Sequence, residues 1–140
     1  MTTLKDLSGT HWTGKSELWL DPEGNAAVTS DCTVAVDDAV VRYTWSHEGK
    51  EHNGALTLRD RGADFTDSFH SPQPMPCEPV TRGGCLFAVI GTYSMGEGPR
   101  WGWLTTLSLR PTGELVLQMT NITPWGEDGR AVRMVCKRTD

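Results

Sequence analysis

Helical periodicity is almost absent from this sequence. Only "TTLKDLSG" near the N-terminus has the spacing for a turn or two of helix, which excludes helical and α/β architectures. No segment approaches the roughly 18 consecutive apolar residues of a membrane-spanning helix. "MTTLKDLSG" also lacks the apolar stretch of a secretory signal, so the expectation is a cytoplasmic protein with no membrane span. The net charge is −5 and no basic stripe interrupts it, which argues against a nucleic-acid partner. No C-x-x-C pair occurs among Cys32, Cys77, Cys85 and Cys136; reduced, mostly buried thiols are expected, with a Cys77–Cys85 bridge left open. The histidines, His11, His47, His52 and His70, are too scattered for a local metal motif, and neither metal nor other cofactor is expected.

What is present is turn chemistry between short alternating stretches. Glycines and prolines fall between these stretches rather than in a linker, so residues 1–140 read as a single domain. Strands are expected at 10–20, 26–36, 40–47, 53–60, 64–70, 75–82, 85–93, 101–110, 114–122 and 129–138. The sixth is the weakest because it is rich in proline. "DPEG" has the residue order of a type I turn, and "PTG" suits a three-residue loop with Gly113 left-handed.

Turn placement fixes register. A hairpin over Asp37–Asp38 would set Val34 opposite Val41, Cys32 opposite Tyr43 and Ser30 opposite Trp45. A loop through "EGKE" would set Leu58, Leu56 and Gly54 beside Val41, Tyr43 and Trp45, with His47 and His52 facing each other at the rim. Closing over Arg61–Gly62 would add Phe65, Asp67 and Phe69 to these rows. "PTG" would pair Leu109 with Leu115, Leu107 with Leu117, Thr105 with Met119 and Trp103 with Asn121. The turns agree on one inward face. If the last strand pairs with the first, Arg138 lands near Trp12, a cation for an aromatic face at the closed end. A sheet so joined has no edge, and the expected fold is all-β: a closed up-and-down antiparallel barrel of about ten strands after a short N-terminal helical turn.

The segment "LKDLSGTHWTG", followed by an all-strand chain ending in "VCKR", resembles the calycin superfamily, the lipocalins and fatty-acid-binding proteins. Here Gly9 and Trp12 are spaced G-x-x-W, a departure from the lipocalin G-x-W. "YTWSHEGKEHNG", "DSFH", "GPRWGW" and "NITPWGEDGRAV" are similar to a bacterial calycin-type family of unknown function. That resemblance implies a fatty-acid-binding-protein-like barrel and brings no established activity. The related nitrobindins carry a haem-ligating histidine near the C-terminus; this chain has no histidine after His70, so haem held in that way is not expected.

About ten strands exceed the number whose side chains fill a barrel's middle. The leading expectation is a binding protein for a small, partly apolar ligand, with Trp45, Phe69, Trp101 and Trp103 as walls. Tyr43, His47, Asp67 and Asn121 would be its polar groups, and Trp12 and Arg138 would serve structure. Parity turns the Asp67 carboxylate inward, where it needs a partner such as Tyr43. By the same count His70 faces outward, unless a bulge intervenes, which weakens an Asp67–His70 dyad. Three alternatives remain open: tryptophans that pack a filled barrel, an enzyme with Asp67 or His47 as general base, and an interaction module using an exposed aromatic rim that includes Trp125. No G-x-S-x-G motif supports the enzyme, and the oligomeric state is not legible.

Overall fold

A computed structural model describes residues 2–21, 24–94 and 96–140. After a 3-10 turn over Leu4–Leu7 come ten strands: β1 (Thr10–Trp19), β2 (Ala27–Val36), β3 (Val40–His47), β4 (Lys50–Leu58), β5 (Ala63–Asp67), β6 (Ser71–Pro79), β7 (Phe87–Ser94), β8 (Arg100–Leu109), β9 (Leu115–Ile122) and β10 (Asp128–Arg138). Each pairs antiparallel with its neighbour in sequence, and β10 pairs with β1, closing the barrel. All ten strands were legible from alternation. The largest discrepancies are at the fourth to sixth: β4 begins at Lys50, β5 ends at Asp67 and β6 begins at Ser71.

Closure occurs in the expected register, with Trp12 the partner of Arg138. Trp12 is buried, and its indole N–H donates to Thr10 Oγ1 at 2.8 Å, whose hydroxyl donates to Leu7 O at 2.6 Å. The 3-10 turn thereby presses Leu7 into the core beside Trp12, and this end of the barrel is closed. The Arg138 guanidinium does not stack on the indole as expected. It is exposed, 3.3 Å from Asp140, because its position is the last of β10. The cation over an aromatic face is instead Arg130 over Trp19, at 4.8 Å.

The β8–β9 register is the expected one, Trp103 pairing with Asn121 and Leu109 with Leu115. The three hairpins from β2 to β5 differ from expectation by two residues. Val36 pairs with Val41 and Val34 with Tyr43, since Asp37 and Val40 bond each other and leave Asp38–Ala39 as the loop. Glu48 and Gly49 both take left-handed conformations (φ 52° and 75°), a two-residue turn that pairs His47 with Lys50 and Trp45 with His52. Arg59 N bonds Gly62 O at 3.0 Å, and Leu58 pairs with Ala63. Moving each turn centre by one residue changes partners by two and leaves the faces unchanged. One interior row therefore runs Trp12, Val34, Tyr43, Gly54, Asp67, and the next Val36, Val41, Leu56, Phe65, Met75.

The seam between β6 and β7 is thin: among the described residues only Glu78–Ile90 and Pro79–Val89 pair. Pro72, Pro74 and Pro76 share one edge of β6 and none has an N–H to donate. Pairing with β5 holds at Ser71 and from Met75 to Cys77 on either side of a register shift, so the missing donors face β7. Met75 and Cys77 fill the seam over Gly91, where a Cβ would come within 2.5 Å of the Met75 sulfur.

The cysteines are thiols. Cys32 and Cys136 both pair with Gly14, and their sulfurs meet across it at 3.5 Å. A Cβ on Gly14 would stand 1.9 Å from the Val135 carbonyl oxygen. The hydrogen bond to Cys136, with burial behind it, pushes the Cys32 thiol far up, and burial lifts Cys77 to about 11. Burial shields Cys32 and Cys136 from reagent, so iodoacetamide should label half-buried Cys85 first and leave these two nearly unmodified in folded protein. Labelling of both at the rate of Cys85, followed by mass spectrometry, would contradict the inward parity of β2 and β10.

Candidate functional site

Ten strands alternate in direction, so Trp19, His47, Ser94, Arg100 and Ile122 all lie at the end opposite Trp12. Among the described residues the exposed large apolar side chains are Leu20, Val28, Phe69 and Trp125. All four are at this end. Beneath them is a cavity of about 270 Å³ whose walls include Phe65, Phe69, Met75, Tyr93, Trp103 and Asn121. Trp19, Leu20 and Asp21 bound its mouth, and Ala131 enters the wall beside the register shift in β10 between Arg130 and Val132.

Behind the wall lies the buried carboxylate of Asp67. Tyr43 donates its hydroxyl to Oδ2 at 2.5 Å and the Trp45 indole N–H reaches the same oxygen at 3.4 Å. Oδ1 accepts the backbone N–H of Phe69 at 2.7 Å and of His70 at 2.9 Å. Gly54 makes the first bond possible: a Cβ there would be 2.2 Å from the Tyr43 hydroxyl oxygen. The two backbone bonds end β5 in a turn of the kind an Asp side chain makes with its own following residues. That turn swings the His70 ring inward, Nδ1 3.4 Å from Oδ1, between Trp45 and Trp103.

Burial raises the Asp67 carboxyl, but the His70 ring, the Tyr43 hydroxyl and the backbone N–H outweigh it and hold the pKa below its ordinary 3.8. Burial and the adjacent carboxylate push the Tyr43 hydroxyl well up, so it stays a donor. A carboxyl depressed in the folded state stabilises fully above its unfolded pKa, and this is lost as pH falls through the folded value. The stability difference between wild type and Asp67→Asn should thus be constant at neutral pH and shrink below about pH 4. Urea unfolding at stepped pH measures it; a gap that persists undiminished at pH 2 would contradict a charged Asp67.

The expected site residues separate into three groups. Trp103, Asn121 and Phe69 line the cavity. Tyr43, Trp45 and Asp67 form the buried network behind it; with its oxygens occupied by four donors, Asp67 has no lone pair poised for a substrate proton. His47 and Trp101 are at the rim and outside the cavity wall. The His47 ring meets Phe69 edge-on at 5.9 Å, and His52 stacks on Trp45 at 4.7 Å rather than facing His47. Trp101 lies beyond the last residue of β9, so it has no partner there and its ring meets Trp125 at 6.2 Å. Trp103 therefore lines the cavity as expected, and Trp101, on the same face of β8, stands above it and does not. His70 is the correction in direction: it faces in because β5 ends at Asp67 instead of running through residue 70.

Tyr93 and Met75 were missed. Tyr93 shares the parity of Val89 and Gly91, a signal available in "FAVIGTYS". Its hydroxyl donates to Asn121 Oδ1 at 2.5 Å. The Trp103 indole N–H is buried without a hydrogen-bond partner among the described residues. Arg130 stands behind Trp19, bonded to Gly24 O at 2.8 Å, and none of the cavity's described lining residues is lysine or arginine. Among the described residues no cluster of three or more His, Cys, Asp or Glu is placed to hold a metal ion. No protein-family model matches the chain, and no curated protein matches it either.

Proposed function

We propose that this protein binds a small, largely apolar molecule in the cavity at the open end of the barrel. One observation carries this reading: the exposed large apolar side chains gather at the end where the cavity opens, while the opposite end is closed by Trp12 and Leu7. A mouth of that kind lets an apolar solute leave water in steps. Aromatic walls with a few polar groups are the usual lining of a small-molecule site. The resemblance to calycin barrels belongs with the same reading.

N-phenyl-1-naphthylamine, an uncharged apolar fluorophore, provides the test. Its emission should rise and tryptophan emission fall on mixing with folded protein, and neither change should occur in urea. Trp103→Ala should weaken binding about tenfold, the loss of one aromatic anchor. Trp125→Ala, outside the cavity wall, should alter affinity less than about twofold. Absence of enhancement, or dependence on Trp125 with none on Trp103, would refute the site.

A further inference from the structure

Deep in the cavity, below the Asp21 carboxylate at its mouth, Trp103 and Asn121 offer hydrogen-bond donors beside the aromatic ring of Phe65. Trp103 and Asn121 are cross-strand partners, so their side chains leave the same face of the sheet as immediate neighbours. Asn121 Oδ1 is occupied by the Tyr93 hydroxyl, which leaves the two N–H groups of its amide. The indole N–H of Trp103 has no partner in the described chain, a cost that a native fold tolerates where something else supplies the acceptor. Both residues line the cavity, and that is the space where an acceptor would stand.

Charge narrows the choice further. Asp21 is at the mouth, held as a carboxylate by the backbone N–H of Asn25 and Ala26, and Asp67 is a carboxylate behind His70. An anionic ligand would find two negative charges and, among the described lining residues, no lysine or arginine. Phe65 and Trp103, 5.7 Å apart and tilted by 32°, give the wall a planar character. A volume of about 270 Å³ equals about nine water molecules of liquid.

Resting on the ligand-binding reading above, we infer that the occupant is an uncharged, planar aromatic molecule bearing an oxygen acceptor. That oxygen takes the Trp103 indole N–H and an amide N–H of Asn121, while the ring system lies against Phe65 and Met75.

Three probes separate the possibilities: coumarin (planar, uncharged, with a carbonyl), naphthalene (planar, no acceptor) and 2-naphthoate (planar, anionic). Each is titrated into nitrogen-15-labelled protein, and affinities are read from the shifts of backbone and indole N–H resonances. Coumarin should bind at least about fivefold more tightly than naphthalene, the worth of a hydrogen bond gained, and should move the Trp103 indole resonance downfield. Trp103→Phe keeps a ring and removes the donor; Asn121→Asp keeps the acceptor for Tyr93 and removes the amide N–H. Each should lower coumarin affinity by a larger factor than naphthalene affinity, erasing most of coumarin's advantage; an advantage that survives both variants would overturn the inference. Naphthalene bound as tightly as coumarin, or 2-naphthoate bound most tightly, would overturn the inference while leaving apolar ligand binding in place. No binding by any probe, together with no N-phenyl-1-naphthylamine binding, would overturn both.

Discussion

Replacing Asp67 with alanine should cost about 3–5 kcal/mol of folding stability. The side chain makes few apolar contacts worth that much; the loss comes from the donors it leaves behind. The Tyr43 hydroxyl and the Trp45 indole N–H are both buried and both lose their acceptor. An unsatisfied buried donor costs about 1–3 kcal/mol. The turn over Phe69 and His70 loses its two side-chain bonds as well, freeing the His70 ring from the cavity wall. Affinity for the naphthylamine probe should therefore fall with stability. Asp67→Asn, which retains an acceptor oxygen, should lose about half as much. A double-mutant cycle with Tyr43→Phe should give a coupling of about 1–3 kcal/mol. A loss under about 1 kcal/mol for Asp67→Ala would mean the network contributes little.

Trp12→Ala should be comparably severe, about 3–5 kcal/mol, because it empties the closed end of the core. Trp12 sits in a row with Val34, Tyr43 and Gly54 and holds Thr10 and, through it, the Leu7 turn. Chemical denaturation reads the loss directly. Ligand affinity should change little, since the closed end lies across the barrel from the cavity. A loss below about 1 kcal/mol would show that Trp12 is not a keystone of closure.

The faces of the strands were readable from sequence, and the neighbours across them were only partly so. Alternation has a period of two, so Tyr43, Leu56, Phe65 and Asp67 declare the same side wherever the turns fall. Which of them touch depends on the turn centre, and that depends on backbone conformations the residues do not advertise. "PTG" names its own geometry through Gly113, whose φ is 96°, and the β8–β9 register followed. Glu48 takes a left-handed conformation usually filled by Asn, Asp or Gly, so "EGKE" could not announce a turn at Glu48–Gly49. Asp38–Ala39 turns without a left-handed residue, so no glycine marks its centre.

In the site, Trp103 and Asn121 were found because their register was fixed, and Asp67 because its parity was. His70 was misplaced for one reason: the side chain that ends β5 belongs to the very residue whose burial was noted. An inward Asp whose oxygens bond the following N–H groups both anchors the network and stops the strand. Trp101 was misplaced because alternation gives direction and says nothing of where the barrel stops; β9 ends at Ile122, one pair short of it.

If an apolar molecule binds as proposed, it lies against Met75 and Trp103 in the cavity wall. Intermolecular nuclear Overhauser effects with bound N-phenyl-1-naphthylamine test it most directly. Contacts from the probe's ring protons to the Met75 methyl group and the Trp103 indole protons are predicted. Contacts confined to Trp101 and Trp125 at the outer rim would contradict it.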